Sequence, residues 1–302
     1  MRPYKVSSVL DPVSHSSYSS SNYTQSPVLD LSSSMPHSPT PRTHQHTGKL
    51  CPVTGHGHGF CPAQEGDSRS ACPALNSLAN HGYIARDGKN LAASDIIQGL
   101  KECYRLSTPL AYFLTYAGFT LLRKLGKRIA LYEISKHGLV EHNASLVHHD
   151  TPEGQTYAPI EIDLRLADAL YADVQPGVKE IEARSSSGAF GGELQRFLMN
   201  DEDVARARIR RERECGPISA FQQEIARGEM AIILGVWEVK TRRKTGIPME
   251  YFQVWIEEER LPDGWRPDHT QGLLDVIKRS RGINKLMQKL REGSAEDREA
   301  KL

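Results

Sequence analysis

The chain has 302 residues and little from which to build a disulfide framework. Its five cysteines are odd in number and follow no compact spacing. It also lacks an excess of charge: 38 Lys and Arg against 37 Asp and Glu leave a formal net charge of +1. No general electrostatic pull therefore draws it to nucleic acid or to an anionic membrane. A membrane-length apolar run is missing too. The one candidate, Leu106 to Leu122, falls short of the roughly 20 apolar residues a span needs, and it carries hydroxyls, two tyrosines and a proline. It reads as a buried helix of a large α core. The opening Met1-Arg-Pro-Tyr-Lys5 runs into serines, not into an apolar stretch, so it lacks the shape of a secretory signal and points to an intracellular chain. Strand signals are nearly absent, with one hint of a small hairpin around Gly235 to Pro248.

What is present divides the chain in three. Residues 1–48 are rich in Ser, Thr, Pro and His, with apolar residues too sparse to offset the entropy of ordering, and read as a disordered tail. Residues 49–290 carry helical patterns, and 291–302 form a charged tail. Ser94 is placed to cap a helix over Asp95–Cys103, whose apolar residues Ile96, Ile97, Leu100 and Cys103 form a stripe. Short helices are expected over Ser135–Val147 and Asp163–Ala172, and a loop over Pro176–Gly192. Asp201 is placed to cap a basic helix through Arg213, whose arginines alternate with glutamates in the manner of a solvated face. Ser219 suits the cap of a helix over Ala220–Val236, and Met249–Glu257 is a further candidate. The packed region is expected to end at Asp263–Pro267, with one more helix after it.

Two stretches hold metal-ligating residue types. In Cys51-Pro-Val-Thr-Gly-His-Gly-His-Gly-Phe-Cys61, the side chains of Cys51, His56, His58 and Cys61 supply two sulfurs and two imidazoles, a set that suits tetrahedral zinc, although the spacing matches no common finger. In Ser70-Ala-Cys-Pro-Ala-Leu-Asn-Ser-Leu-Ala-Asn-His-Gly-Tyr83, Pro73 suits the first position of a helix and puts Cys72 at its N-cap. There the free N–H groups and the positive end of the dipole favour the thiolate. A buried structural cysteine is the other reading of an isolated Cys-Pro pair.

The whole string, with Arg86-Asp-Gly88 behind it, resembles the proximal-ligand signature of the fungal heme-thiolate peroxidases, the chloroperoxidase and unspecific peroxygenase family. Ala71 and Ala85 stand where that signature has prolines. Two later stretches extend the resemblance. Glu141-His-Asn-Ala-Ser145 is similar to the family's Glu-His-Asp-Ala-Ser element, and Gly228-Glu-Met-Ala231 to its Gly-Glu-(Ser or Thr)-Ala context. Glu257-Glu-Glu-Arg-Leu-Pro-Asp-Gly-Trp-Arg-Pro267 resembles its closing segment. Together they span about Gly59 to Leu274, two thirds of the chain.

The resemblance implies a mostly α, single multi-helix domain around heme b, with at most a small β-hairpin. It implies Cys72 as the iron ligand with Ala74 and Leu75 beside it against the heme, and Glu141, His142 and Ser145 around Mg2+ or Mn2+ at a propionate. On a helix, Glu141 and Ser145 four apart would share a face. Glu229 would be the acid–base residue, its pKa raised by an apolar helix, with Ile225, Ala226, Ile232 and Ile233 lining an aliphatic pocket. Glu212, Glu214 and Glu224 compete with it. His142 would orient Glu229, with Asn143 replacing the usual Asp, so that an amide oxygen meets the imidazole without the charge that favours imidazolium. The partners implied are hydrogen peroxide and a small organic substrate, which the enzyme would oxygenate, dehydrogenate or halogenate, plausibly in fungal secondary metabolism. The rival reading is a heme- or zinc-binding regulatory protein without turnover.

Overall fold

The structure, a computed structural model, describes residues 43–55, 57–174, 198–240 and 245–299, with side chains through 293. Most of the Ser/Thr/Pro-rich N-terminal stretch, His56 and the loop over Pro176–Gly192 lie outside those residues.

Helix α1 (Pro73–Asn80) starts as its proline dictates, with Cys72 extended at the N-cap (φ −108°, ψ 102°). Gly82 ends it at φ +68°, and a Cβ there would lie 2.6 Å from the Lys49 carbonyl oxygen. At Gly88, with φ +65°, a Cβ would lie 2.1 Å from the Ser68 oxygen. Both glycines let the segment before α1 lie directly against the chain that leaves it. Helix α2 (Ala93–Tyr104) begins before Ser94. The Asp95 carboxylate accepts the Ala92 N–H at 2.8 Å, which makes Ala92 and not Ser94 the cap position.

Helix α3 (Thr108–Leu121) is capped by Ser107 and packs on α2. It is two-faced. Leu110, Ala111, Thr115 and Phe119 are buried, whereas Tyr112, Phe113 and Tyr116 are exposed. The uncharged stretch is therefore only half a core helix, and no described helix is long and apolar enough to cross a membrane.

After a 3-10 turn over Leu131–Ser135, the helix expected through Val147 does not form. Gly138 (φ +79°) and Ala144 (φ +67°) adopt left-handed backbone, and the Gly138 N–H closes onto the Glu141 oxygen at 3.0 Å. Glu141 and Ser145 thus sit on an irregular loop. Helix α4 (Leu164–Asp173) forms where a short helix was expected, one residue later, with Asp163 as its cap.

Helix α5 (Asp201–Glu214) is capped by Asn200, not Asp201, because the Asn200 side chain reaches the N–H groups of Glu202 and Asp203 at 2.8 and 3.2 Å. Its basic face is not wholly solvated, since Arg208 and Arg211 are buried. Helix α6 (Ala220–Trp237) is capped by Ser219. Strands β1 (Leu198–Met199), β2 (Val239–Lys240) and β3 (Thr245–Pro248) form an antiparallel sheet in the order β1-β3-β2, with Leu198 opposite Pro248 and Val239 opposite Gly246. The hairpin read from the sequence is β2–β3, and β1 adds a third strand. Helix α7 is Met249–Glu257 and α8 is Leu273–Glu299. The charged residues from Arg291 onward continue α8, which packs along α5 and α6 and buries Ile283 and Met287. The fold is mostly α.

Trp237 and Trp255 are fully buried, and Trp237 stacks on Trp265 with centroids 4.0 Å apart. Truncating either buried indole would cost about 3–5 kcal/mol. The Trp255 N–H meets the Tyr104 hydroxyl at 3.4 Å, and that hydroxyl donates to the Ala74 carbonyl at 3.1 Å. The aromatic cluster therefore holds the first turn of α1 in place.

Candidate active site

The signature around Cys72 is mostly scaffolding. Asn76 accepts the Ser70 N–H at 2.9 Å and donates to the Ser70 carbonyl at 2.7 Å, which closes the loop before the cysteine. Asn80 accepts from Arg69, and His81 holds the His58 carbonyl and the Leu261 N–H through its two ring nitrogens. The buried Arg86 guanidinium donates to the carbonyls of Lys49, Gly59 and Asn80. Ala71 donates its N–H to Ser135 Oγ at 2.8 Å, a bond that a proline there cannot make.

Cys72 is left partly exposed, and it faces two adjoining cavities of about 290 and 130 Å³. Burial pushes its thiol up to about 11, reinforced by the Glu229 charge. The N–H groups of Leu75 and Ala74 pull the other way and lose. Burial thus opposes the helix cap at this sulfur. A cation at the sulfur would be needed to hold the charge.

The larger cavity is walled by Ala74, Leu75, Leu100, Phe119, Ile232 and Trp237, among other apolar residues. Its polar contributions include Tyr104 and the buried Thr115, whose hydroxyl has no partner among the described residues. The smaller cavity holds Glu141, His142, Ser145, His148 and Arg208. Glu229 and Ile233 line both cavities, Ile232 the larger and Ala226 the smaller, whereas Ile225 lines neither.

Glu229 was expected in an apolar surrounding, yet its side chain is 53% exposed, with the cavities on its flank. Its carboxylate lies 3.7 Å from His142 Nε2. The competing glutamates are engaged elsewhere: Glu212 with Arg208 and Arg291, Glu214 with Arg210, and Glu224 with Arg227 and Ser280. None of the three lines either cavity.

The His142 Nδ1 donates to the Asn143 backbone carbonyl at 2.7 Å, so the amide side chain does not meet the imidazole. Asn143 Oδ1 instead accepts the Thr151 N–H at 3.1 Å. Burial lowers the His142 pKa, but the neighbouring Glu229 carboxylate outweighs it, and the imidazole titrates above its ordinary value. Glu141 is raised by burial, against the pull of His137, whose Nδ1 lies 2.7 Å away. Ser145 Oγ faces His148 Nδ1 at 3.2 Å.

Two residues that sequence reasoning assigned to solvent organise this loop. Arg208 Nη1 donates to the Ala144 carbonyl at 2.7 Å, and Arg211 Nε to the Ser145 carbonyl at 2.8 Å. Arg211 also pairs with Asp150, which accepts the Ala144 N–H. They satisfy backbone groups that no helix satisfies here. The signal was available in their helical spacing of three, opposite the flanking Arg206 and Arg213.

The sequence model of the family described as "Peroxidase, family 2" matches residues 58–270. An aromatic peroxygenase of Cyclocybe aegerita is 29% identical over 123 residues, 35% of this chain and 33% of that protein. The aromatic peroxidase fscJ of Fusarium equiseti is 45% identical over 69 residues, 22% of this chain and 15% of that protein. The dothistromin biosynthesis peroxidase dotB of Dothistroma septosporum is 39% identical over 61 residues, 20% and 14% of the two chains. The chain spans a third or less of the length of these curated relatives.

Proposed function

Because the chain belongs to peroxidase family 2, whose model matches well over half of it, we propose that it is a heme-thiolate peroxidase or peroxygenase acting with hydrogen peroxide on a small organic molecule. The observation that carries this reading is that Cys72 and Glu229 line the same two adjoining cavities. The residues present fit heme b. One sulfur faces a largely apolar space, and Arg208 at the polar end lines the smaller cavity with a guanidinium suited to a carboxylate of the group.

In this reading Cys72 ligates the iron, with Ala74 and Leu75 packed beside it. Thiolate-ligated heme supplies the electron-rich iron that favours O–O cleavage. Glu141, Ser145 and the backbone carbonyl of His142 would hold Mg2+ or Mn2+, a hard-donor set for a hard cation. The Glu229 carboxylate accepts the proton from one peroxide oxygen and returns it to the other, so that cleavage releases water and not hydroxide. His142, fixed to the main chain through its other ring nitrogen, keeps the carboxylate oriented between these steps. The apolar walls of the larger cavity admit an aromatic or aliphatic substrate, in keeping with the word "aromatic" in the names of two relatives. The name of a third suggests that such a molecule belongs to fungal secondary metabolism.

The test is peroxide-dependent oxidation of an aromatic substrate by the heme-supplied protein. Turnover supports the enzyme. Heme-loaded protein without turnover would leave a non-catalytic heme-binding protein instead.

A further inference from the structure

The sequence pairs Cys51 and Cys61 with His56 and His58; His56 lies outside the described residues, and His58 is engaged elsewhere. His58 stacks on the Tyr83 ring at 3.7 Å between centroids and bonds to the His81 carbonyl. The two imidazoles beside the sulfurs come from His44 and His46, inside the stretch that composition assigned to the tail. We propose that His44, His46, Cys51 and Cys61 form a closed structural zinc site, separate from the heme pocket.

The four ligand atoms lie within 4.8 Å of one another. His44 Nε2 is 3.0 Å from His46 Nε2, 3.4 Å from Cys51 Sγ and 3.5 Å from Cys61 Sγ, and His46 Nε2 is 3.4 Å from Cys61 Sγ. A tetrahedron with zinc bond lengths has edges of about 3.3 Å between two nitrogens and about 3.6 Å between nitrogen and sulfur. These four of the six edges match within a few tenths of an ångström, and the other two lie within 4.8 Å. A single ring nitrogen cannot satisfy three polar neighbours with one proton, whereas a cation between them serves all four.

The surroundings are those of a metal knuckle. Val53 and Thr54 each aim an N–H at Cys51 Sγ at 3.4 Å, which stabilises thiolate. His46 turns its Nδ1 to the Asp67 carboxylate at 2.7 Å, leaving Nε2 as the donor toward the centre. That is the carboxylate–histidine arrangement that orients metal-bound imidazoles. Cys51, Cys61 and His46 are buried, and two sulfurs with two imidazoles favour zinc over Mg2+ or Ca2+. Four protein ligands leave no open position, so the site is structural, not catalytic. None of the four lines either cavity.

Its role follows from what the knuckle carries. The Lys49 and Gly59 carbonyls that hold Arg86, and the Cys61 N–H that meets the Asn80 carbonyl at 2.9 Å, all lie on this segment. The metal would fasten the strap that braces the end of α1, the helix carrying Cys72.

Elemental analysis of the full chain, expressed with zinc and heme, decides the matter. One zinc per chain is expected, with two sulfurs at about 2.3 Å and two nitrogens at about 2.0–2.1 Å in zinc-edge X-ray absorption. Cys72→Ser should keep that zinc and Cys61→Ser should lose it. The absorption spectrum of the unmodified protein decides if Cys61→Ser does not fold. Absence of zinc, a Cys51–Cys61 disulfide, a shell of oxygens only, or zinc lost from Cys72→Ser would each overturn the proposal.

Discussion

His142 Nε2 and the Glu229 carboxylate stand 3.7 Å apart at the boundary between two cavities, and the other ring nitrogen of His142 donates to a backbone carbonyl. Acceptors on both sides of one imidazole favour its doubly protonated form. The pair thus sets a carboxylate beside an imidazole that is itself fixed to the main chain, a suitable arrangement for a group that must accept a proton.

Replacing the carboxylate with its amide isostere removes the proton acceptor and little else. Glu229→Gln should bind heme with an unchanged spectrum and lose about 10²–10⁴-fold in peroxide turnover. Stopped-flow mixing with peroxide reads this directly, and turnover within a few-fold of the parent would move the acid–base role to another group.

The His142 pKa is raised in the folded chain by Glu229. Its ion-pair contribution is therefore fully present below the unfolded value of about 6.5 and is lost as pH rises through the folded value. The gap in melting temperature between the parent and His142→Gln should be widest in mild acid and should narrow above neutrality. A gap that widens with pH would contradict the pairing.

Arg211 is 5% exposed and satisfies the Ser145 carbonyl and Asp150, whereas Arg213, two residues on, is exposed. Arg211→Met should cost about 3 kcal/mol, as expected when one partner of a buried pair is removed. Arg213→Met should stay within about 0.5 kcal/mol. Urea midpoints distinguish the two, and equal losses would return both arginines to the solvated face.

Thr115 holds a buried hydroxyl without a partner among the described residues, on the wall of the larger cavity. Thr115→Val should leave the protein as stable as before or slightly more so, because no hydrogen bond is lost. It should raise KM several-fold for aromatic substrates that carry a hydrogen-bonding group and leave their apolar analogues unchanged. An equal effect on both kinds of substrate would exclude a polar contact from Thr115.

Much of this was legible before any coordinates. Pro73 sets the start of α1 by local stereochemistry, and Ser219 caps its helix through a contact only three residues long. Leu164–Asp173 and Ala220–Trp237 follow from the same local rules. What the sequence hid depends on distant contacts. The loop carrying Glu141 and Ser145 is held open by Arg208 and Arg211, more than sixty residues away, so i, i+4 spacing suggested a helix that those arginines preclude. Cys72 likewise looked acidic from its cap, but burial by surrounding elements dominates. His44 and His46 lie within the stretch that composition assigned to the tail, and only the folded chain brings them beside the sulfurs of Cys51 and Cys61.

The account turns on the sulfur of Cys72 meeting iron, and one spectrum tests that. The ferrous–CO complex of the heme-loaded protein should show the strongly red-shifted Soret band of thiolate ligation, and Cys72→Ser should abolish it. A histidine-type band in the parent protein, or an unshifted red band in Cys72→Ser, would contradict the account.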